Sequence, residues 1–249
     1  MERNMAPVNP KRRYDSPRRA EQARQTRAAV VEAARRLFLR DGFAATTIAA
    51  IAAQAQVSVE TIYKAFGGKP GLVRAICATA LTGEGPVPAE TRSDELQAQE
   101  PDPRKIIRGW GKLTTEVAPR IAPILLLIRS AAATDPEMAG LRTEMDTGRL
   151  SRMTSNACNL AEGGHLRDDI TAEHAGEVLW TYSSPELYEL LVLSRGWPAE
   201  RYATFIADAM IAALLPPEPP LAQQARHNDR RPTLRGPDAN AGPGPASNA

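Results

Sequence analysis

Apolar positions along the chain recur mostly at helical spacing. Across 21–40, Val30, Ala34, Leu37 and Phe38 share one face, and Asp41-Gly42 closes the pattern. Thr46 or Thr47 stands where a cap is needed for a short helix with Ile48, Ile51 and Ala52 on its inner side. Ser58 caps a second short helix with Ile62 and Phe66 facing inward, and Gly67-Gly68 ends it. Lys69-Pro70-Gly71 opens a fourth helix, to about 82, in which Leu72, Val73 and Ile76 are apolar; proline suits a first turn. Residues 83–103 are rich in Pro, Gly and acid and read as a loop. Further helical stretches are expected over 104–117, 119–133, 136–161, 172–194 and 198–215. No repeat and no convincing strand appears, so the pattern predicts an all-α fold.

Two short capped helices in succession, preceded by a longer one, suit a helix-turn-helix. Such a unit lays its second helix in the major groove of DNA, so its outer face must be polar or slender. Ser58, Val59, Glu60, Thr61, Tyr63 and Lys64 can face out while Ile62 and Phe66 face in. The charge distribution agrees. Net charge is only +2 over 249 residues, yet residues 1–75 hold fourteen Lys/Arg against six Asp/Glu and the remainder holds seventeen against twenty-three. A basic end on a mildly acidic body fits a polyanion bound at that end.

Composition narrows the class further. Hydrophobic residues make up 43% and aromatics 5% of an Ala-rich chain, which favours a sizeable helical core. The most apolar run, 121–128, is interrupted by Pro123 and falls well short of the ~18 residues that a membrane span needs. The basic start has no apolar stretch behind it and does not read as a secretory signal. Cys77 and Cys158 are expected to be reduced thiols in a cytoplasmic protein. The expected organisation is a flexible basic arm over 1–20, a DNA-binding domain over 21–67 and a second helical domain over 68–215. A disordered tail with eight prolines over 216–249 completes it.

The stretch T-T-I-A-A-I-A-A-Q-A-Q-V-S-V-E-T-I-Y-K-A-F-G-G-K-P-G-L-V (46–73) resembles the signature of the tetracycline-repressor (TetR) family, and A-A-R-R-L-F-L-R-D-G-F-A-A-T-T (33–47) resembles that family's first helix and turn. T-I-Y-K-A-F-G-G-K (61–69) is the most specific part, and the likeness covers roughly 24–76. It implies that Thr47 offers its hydroxyl and N–H to a phosphate, with Thr46 and Ser58 in the same DNA-contacting set. Tyr63 and Lys64 would reach the backbone or a base edge, and Val59, Glu60 and Thr61 would lie where bases are read. Lys69 would hold another phosphate. A cation at a helix start opposes the dipole, and no folding reason for it is visible in the sequence. At Gln56 the family often has Gly; if that residue takes positive φ, Gln costs about 1 kcal/mol more.

The resemblance also implies a C-terminal helical domain that dimerises and binds a small effector. The segment 183–202 resembles a recurrent stretch ahead of the last helix. The expected dimer stripe is Leu187, Leu190, Leu191, Tyr202, Ile206, Met210 and Leu214. The expected pocket, for an apolar or weakly polar effector, draws on Trp110, Leu113, Thr114, Val117, Ile121, Leu125, Ile128, Met145, Met153 and Trp180. Arg129 is either an anion partner there or a surface residue. The implied protein is a homodimer on a palindromic double-stranded operator, released when effector misplaces the paired recognition helices. No cofactor and no membrane partner is expected. An enzyme is disfavoured because His165, His174 and His227 are scattered and no catalytic motif appears. A redox-responsive regulator would act through Cys77 and Cys158.

Overall fold

A computed structural model describes residues 16–83, 85 and 87–217. The N-terminal fifteen residues of the expected arm and the expected tail beyond 217 lie outside the described residues. Residues 16–20 of that arm are the first turns of α1 (Ser16–Ala45), which runs longer than its apolar stripe and is interrupted at Gly42, φ 82°. Then come α2 (Ile48–Ala55), α3 (Val59–Phe66) and α4 (Lys69–Thr82). Next are α5 (Ala89–Gln99), α6 (Pro103–Ala131) and α7 (Pro136–Glu162). The chain continues with α8 (Ala172–Tyr182), α9 (Pro185–Tyr188), a π-helical turn (Glu189–Ser194) and α10 (Ala199–Leu214). The described residues contain helices and no strand, as the apolar periodicity predicts.

Local chemistry accounts for the short helices. Thr47 caps α2, its hydroxyl accepting from the Ala50 N–H, and Ser58 caps α3, accepting from the Thr61 N–H. Gln56 closes α2 at φ 56°, the one non-glycine in the left-handed region among the described residues. Its N–H reaches the Ala52 and Ala53 carbonyls.

Three expectations need correction. Residues 83–103 are not all loop, because α5 lies within them. This helix buries only Ala89 and Ser93, so it has no apolar stripe to read. Ion pairs tie it down instead: Arg92 to Glu116 of α6 and Arg152 of α7 to Asp94, both at 2.6 Å. Second, 104–133 is one helix and not two. Pro119 and Pro123 each remove a backbone donor at about 3 kcal/mol, but α6 buries five isoleucines, each worth about 1.5–3 kcal/mol. Burial prevails. Third, 172–194 breaks at Ser184, whose extended backbone (ψ 143°) is what a residue before proline prefers.

The apolar side chains form two clusters. The first joins Val30, Phe38, Ile51, Ile62, Leu72 and Ile76 to Ile121, Ile124 and Ile128 of α6 and to Met138 and Leu141 of α7. The second gathers Ile107 and Trp110 of α6 with Leu160, Leu179, Tyr188, Tyr202, Ile206 and Leu214. Helix α6 contributes to both. At Gly111 it meets α10 so closely that a Cβ would stand 2.8 Å from the Ala203 carbonyl oxygen.

Candidate nucleic-acid interface and effector cavity

Helix α3 is held from below and open above. Ile62 is fully buried in the first cluster, and Arg27 of α1 stacks over the Phe66 ring at 4.3 Å while donating to the Ala65 carbonyl. Gly71 of α4 sits so near that a Cβ would fall 1.8 Å from the Phe66 carbonyl oxygen. These contacts fix the helix axis. Val59, Glu60, Thr61, Tyr63 and Lys64 all face solvent, with Tyr63 54% exposed. Tyr63 therefore does not pack on α1. The Ser58 and Thr61 hydroxyls lie 2.8 Å apart and share one hydrogen bond. Thr47 is exposed, and a capping hydroxyl that accepts one N–H keeps its own proton to donate.

Two of the expected contacts are placed elsewhere. Thr46 is 2% exposed, its hydroxyl bonded to the Gly42 and Leu37 carbonyls, so it braces the turn and presents nothing to a ligand. Lys69 points back to the end of α1. Its Nζ donates to the Phe43 carbonyl at 2.6 Å and the Thr46 carbonyl at 3.1 Å, and it lies 4.3 Å from the centre of the Phe43 ring. That is the folding reason which the sequence did not disclose: the ammonium satisfies carbonyls that a helix end leaves open.

A cavity of about 460 Å³ opens among α4 to α10. Of the expected lining, Trp110, Leu113, Thr114, Val117, Ile121, Leu125, Met145 and Met153 border it. Ile128, Arg129 and Trp180 do not. Ile128 is buried in the first cluster. Arg129 ties α6 to the α9 region on the outside, through Glu186 at 3.1 Å and Glu189 at 2.8 Å. Trp180 lies under the Arg149 guanidinium, 4.4 Å from its ring centre. Sequence reading missed Tyr182, Tyr188, Tyr202 and Arg149, which the fold brings to the cavity from separate helices. Burial raises the pKa of Tyr188 and pushes that of Tyr202 up to about 12, so both phenols stay protonated donors.

The expected dimer stripe divides. Tyr202, Ile206, Met210 and Leu214 are buried in the second cluster and cannot face another chain. Leu187 and Leu191 are half-buried against the same cluster. Leu190 is 56% exposed, beside an unpredicted set: Leu193 at 53%, Phe205 at 42%, and Trp197 meeting Phe205 edge-on at 5.6 Å.

Residues 30–76 match the profile of bacterial regulatory proteins of the tetR family. Over these residues the chain carries the N-terminal domain of the tetR family of bacterial regulatory proteins. The chain is similar to the HTH-type transcriptional regulator TtgR of Pseudomonas putida, 27% identical over 169 residues, which span 66% of this chain and 80% of TtgR. The regulator YvkB of Bacillus subtilis is 35% identical over 71 residues, 28% of this chain and 38% of that protein. The TetR fold extends through the C-terminal helices. NalD, the secondary repressor of the MexAB-OprM multidrug efflux pump in Pseudomonas aeruginosa, superposes with TM-score 0.59 at 20% identity, covering 78% of this chain and 98% of NalD. SmeT, solved with triclosan, superposes with TM-score 0.61 at 19% identity, covering 78% and 98%.

Cys77 is buried, and burial together with nearby Glu144 pushes its thiol up to about 12. Such a thiol is not a reactive thiolate near neutral pH. Among the described residues no cluster of His, Cys, Asp and Glu could hold a metal, and no helix is long and apolar enough to cross a membrane.

Proposed function

We propose that this regulator acts as a homodimer on a palindromic operator and leaves it when a small, mainly apolar effector fills the cavity. The observation that carries the reading is α3, clamped by Arg27 and Gly71 beneath and presenting Val59, Glu60, Tyr63 and Lys64 on its open face. Thr47, Ser58, Tyr63 and Lys64 then position the protein on phosphates, and Val59, Glu60 and Thr61 meet base edges. Two such helices related by a two-fold axis read half-sites one helical turn apart. The exposed Leu190, Leu193 and Phe205, with the half-buried Trp197, supply the dimer face. The cavity supports the effector half of the reading, and so does the likeness to SmeT, which was solved with triclosan.

Selection of bound duplexes from a random pool tests this reading. A palindromic consensus is expected, with Tyr63→Ala weakening binding to it at least tenfold. A protein that selects no sequence, or binds as a monomer to single half-sites, overturns it.

A further inference from the structure

The cavity is bordered by Leu113, Val117, Ile121, Leu125 and Met153, yet one side carries a cation. Arg149, on α7, lines it with its side chain only 15% exposed. The guanidinium lies flat on Trp180 and donates to that residue's carbonyl and, at 3.2 Å, to the Ser183 hydroxyl. Both partners are neutral. Its one carboxylate within 4 Å is Asp146 at 3.6 Å, and Asp146 also faces Arg142 at 3.7 Å.

The other charges bordering the cavity are better matched. Arg152 has Asp94 at 2.6 Å and Glu90 at 3.5 Å. Glu144 is gripped by Arg74 through two bonds, at 2.6 and 3.1 Å. Arg149 is thus the lining cation with the more distant carboxylates, and burial lowers its pKa despite Asp146 and Glu186. A desolvated guanidinium gains most from a second carboxylate. Its planar fork matches the two oxygens, and the pairing strengthens as water is excluded.

We infer that the effector of this cavity is an amphipathic acid, an apolar body bearing one carboxylate that pairs with Arg149. The inference rests on the cavity being the effector site. A cationic effector finds no equivalent, because Glu144 is gripped by Arg74 and Glu90 is a solvent-exposed carboxylate, unlike the desolvated Arg149. The Tyr188 and Tyr202 hydroxyls are neutral and favour neither sign.

Matched probes test it on the full chain: decanoate against decan-1-ol, and 1-naphthoate against 1-naphthol, followed by tryptophan fluorescence because Trp110 borders the cavity. Each acid should bind at least tenfold tighter than its alcohol. Arg149→Met should erase that preference while leaving the alcohols within twofold, and Arg149→Lys should recover only part of it. Alcohols that bind as tightly as the acids overturn the inference and leave the cavity reading standing. If neither member of either pair binds, the cavity reading falls and the inference with it. The comparison on the unaltered protein needs no variant, so misfolding of a substituted chain does not blur the result.

Discussion

Lys69 brings a cation to the start of α4, where the helix dipole opposes it by about 0.3–1 kcal/mol. Three carbonyls at the end of α1 outweigh that, because hydrogen bonds to a charged donor are worth about 1.5–3 kcal/mol each at best. Lys69→Met is therefore expected to lower stability by about 1–3 kcal/mol in urea unfolding and to leave the salt slope of operator binding unaltered. A lost phosphate contact would instead reduce the slope by about one. Gln56 is the reverse case. Its αL backbone follows from the neighbouring caps, and the strain at that position was foreseeable from the family's usual Gly. Gln56→Gly should raise stability by about 0.5–1 kcal/mol, read as a higher urea midpoint. Thr46 was misplaced for a simple reason: two adjacent threonines look alike in sequence, and only the close of α1 decides which one turns inward.

At the scale of elements, periodicity served where one face is apolar and the other is not. Helices α2 and α3 begin at their expected caps, α4 opens at Lys69-Pro70, and α3 and α4 end at glycines. It failed for α5, whose inner face is Ala and Ser and whose hold on the fold is ionic. It failed differently for α10. The stripe Tyr202, Ile206, Met210 and Leu214 was recognised, but spacing alone does not say whether its partner is the same chain or another. The contact of α3 with α4 was not legible either, since Gly71 reads as part of a helix start. Gly71→Ala must push the Phe66 carbonyl aside. A cost of about 1–3 kcal/mol is expected from such overpacking, measured by thermal unfolding, together with a loss of operator affinity larger than stability alone explains.

For the molecule as a whole, the proposed dimer rests on the exposed apolar set. Leu190, Leu193, Trp197 and Phe205 come from the π-helical turn, the link after it and α10. Leu193→Lys combined with Phe205→Glu is expected to give a folded monomer by analytical ultracentrifugation, with operator affinity reduced at least a hundredfold. A variant that stays dimeric would assign the interface to another face. The two buried clusters also share one beam. Helix α6 is backbone-to-backbone with α10 at Gly111, while its far half packs under α4 through Ile121, Ile124 and Ile128. A rod clamped at one end transmits a push as rotation about the clamp, and its free end travels farthest. An effector wedged beside Leu113 and Val117 is therefore expected to move Ile128 more than Gly111. On the proposed reading, the displacement would reach α4, which packs on that end of α6 and follows the helix-turn-helix.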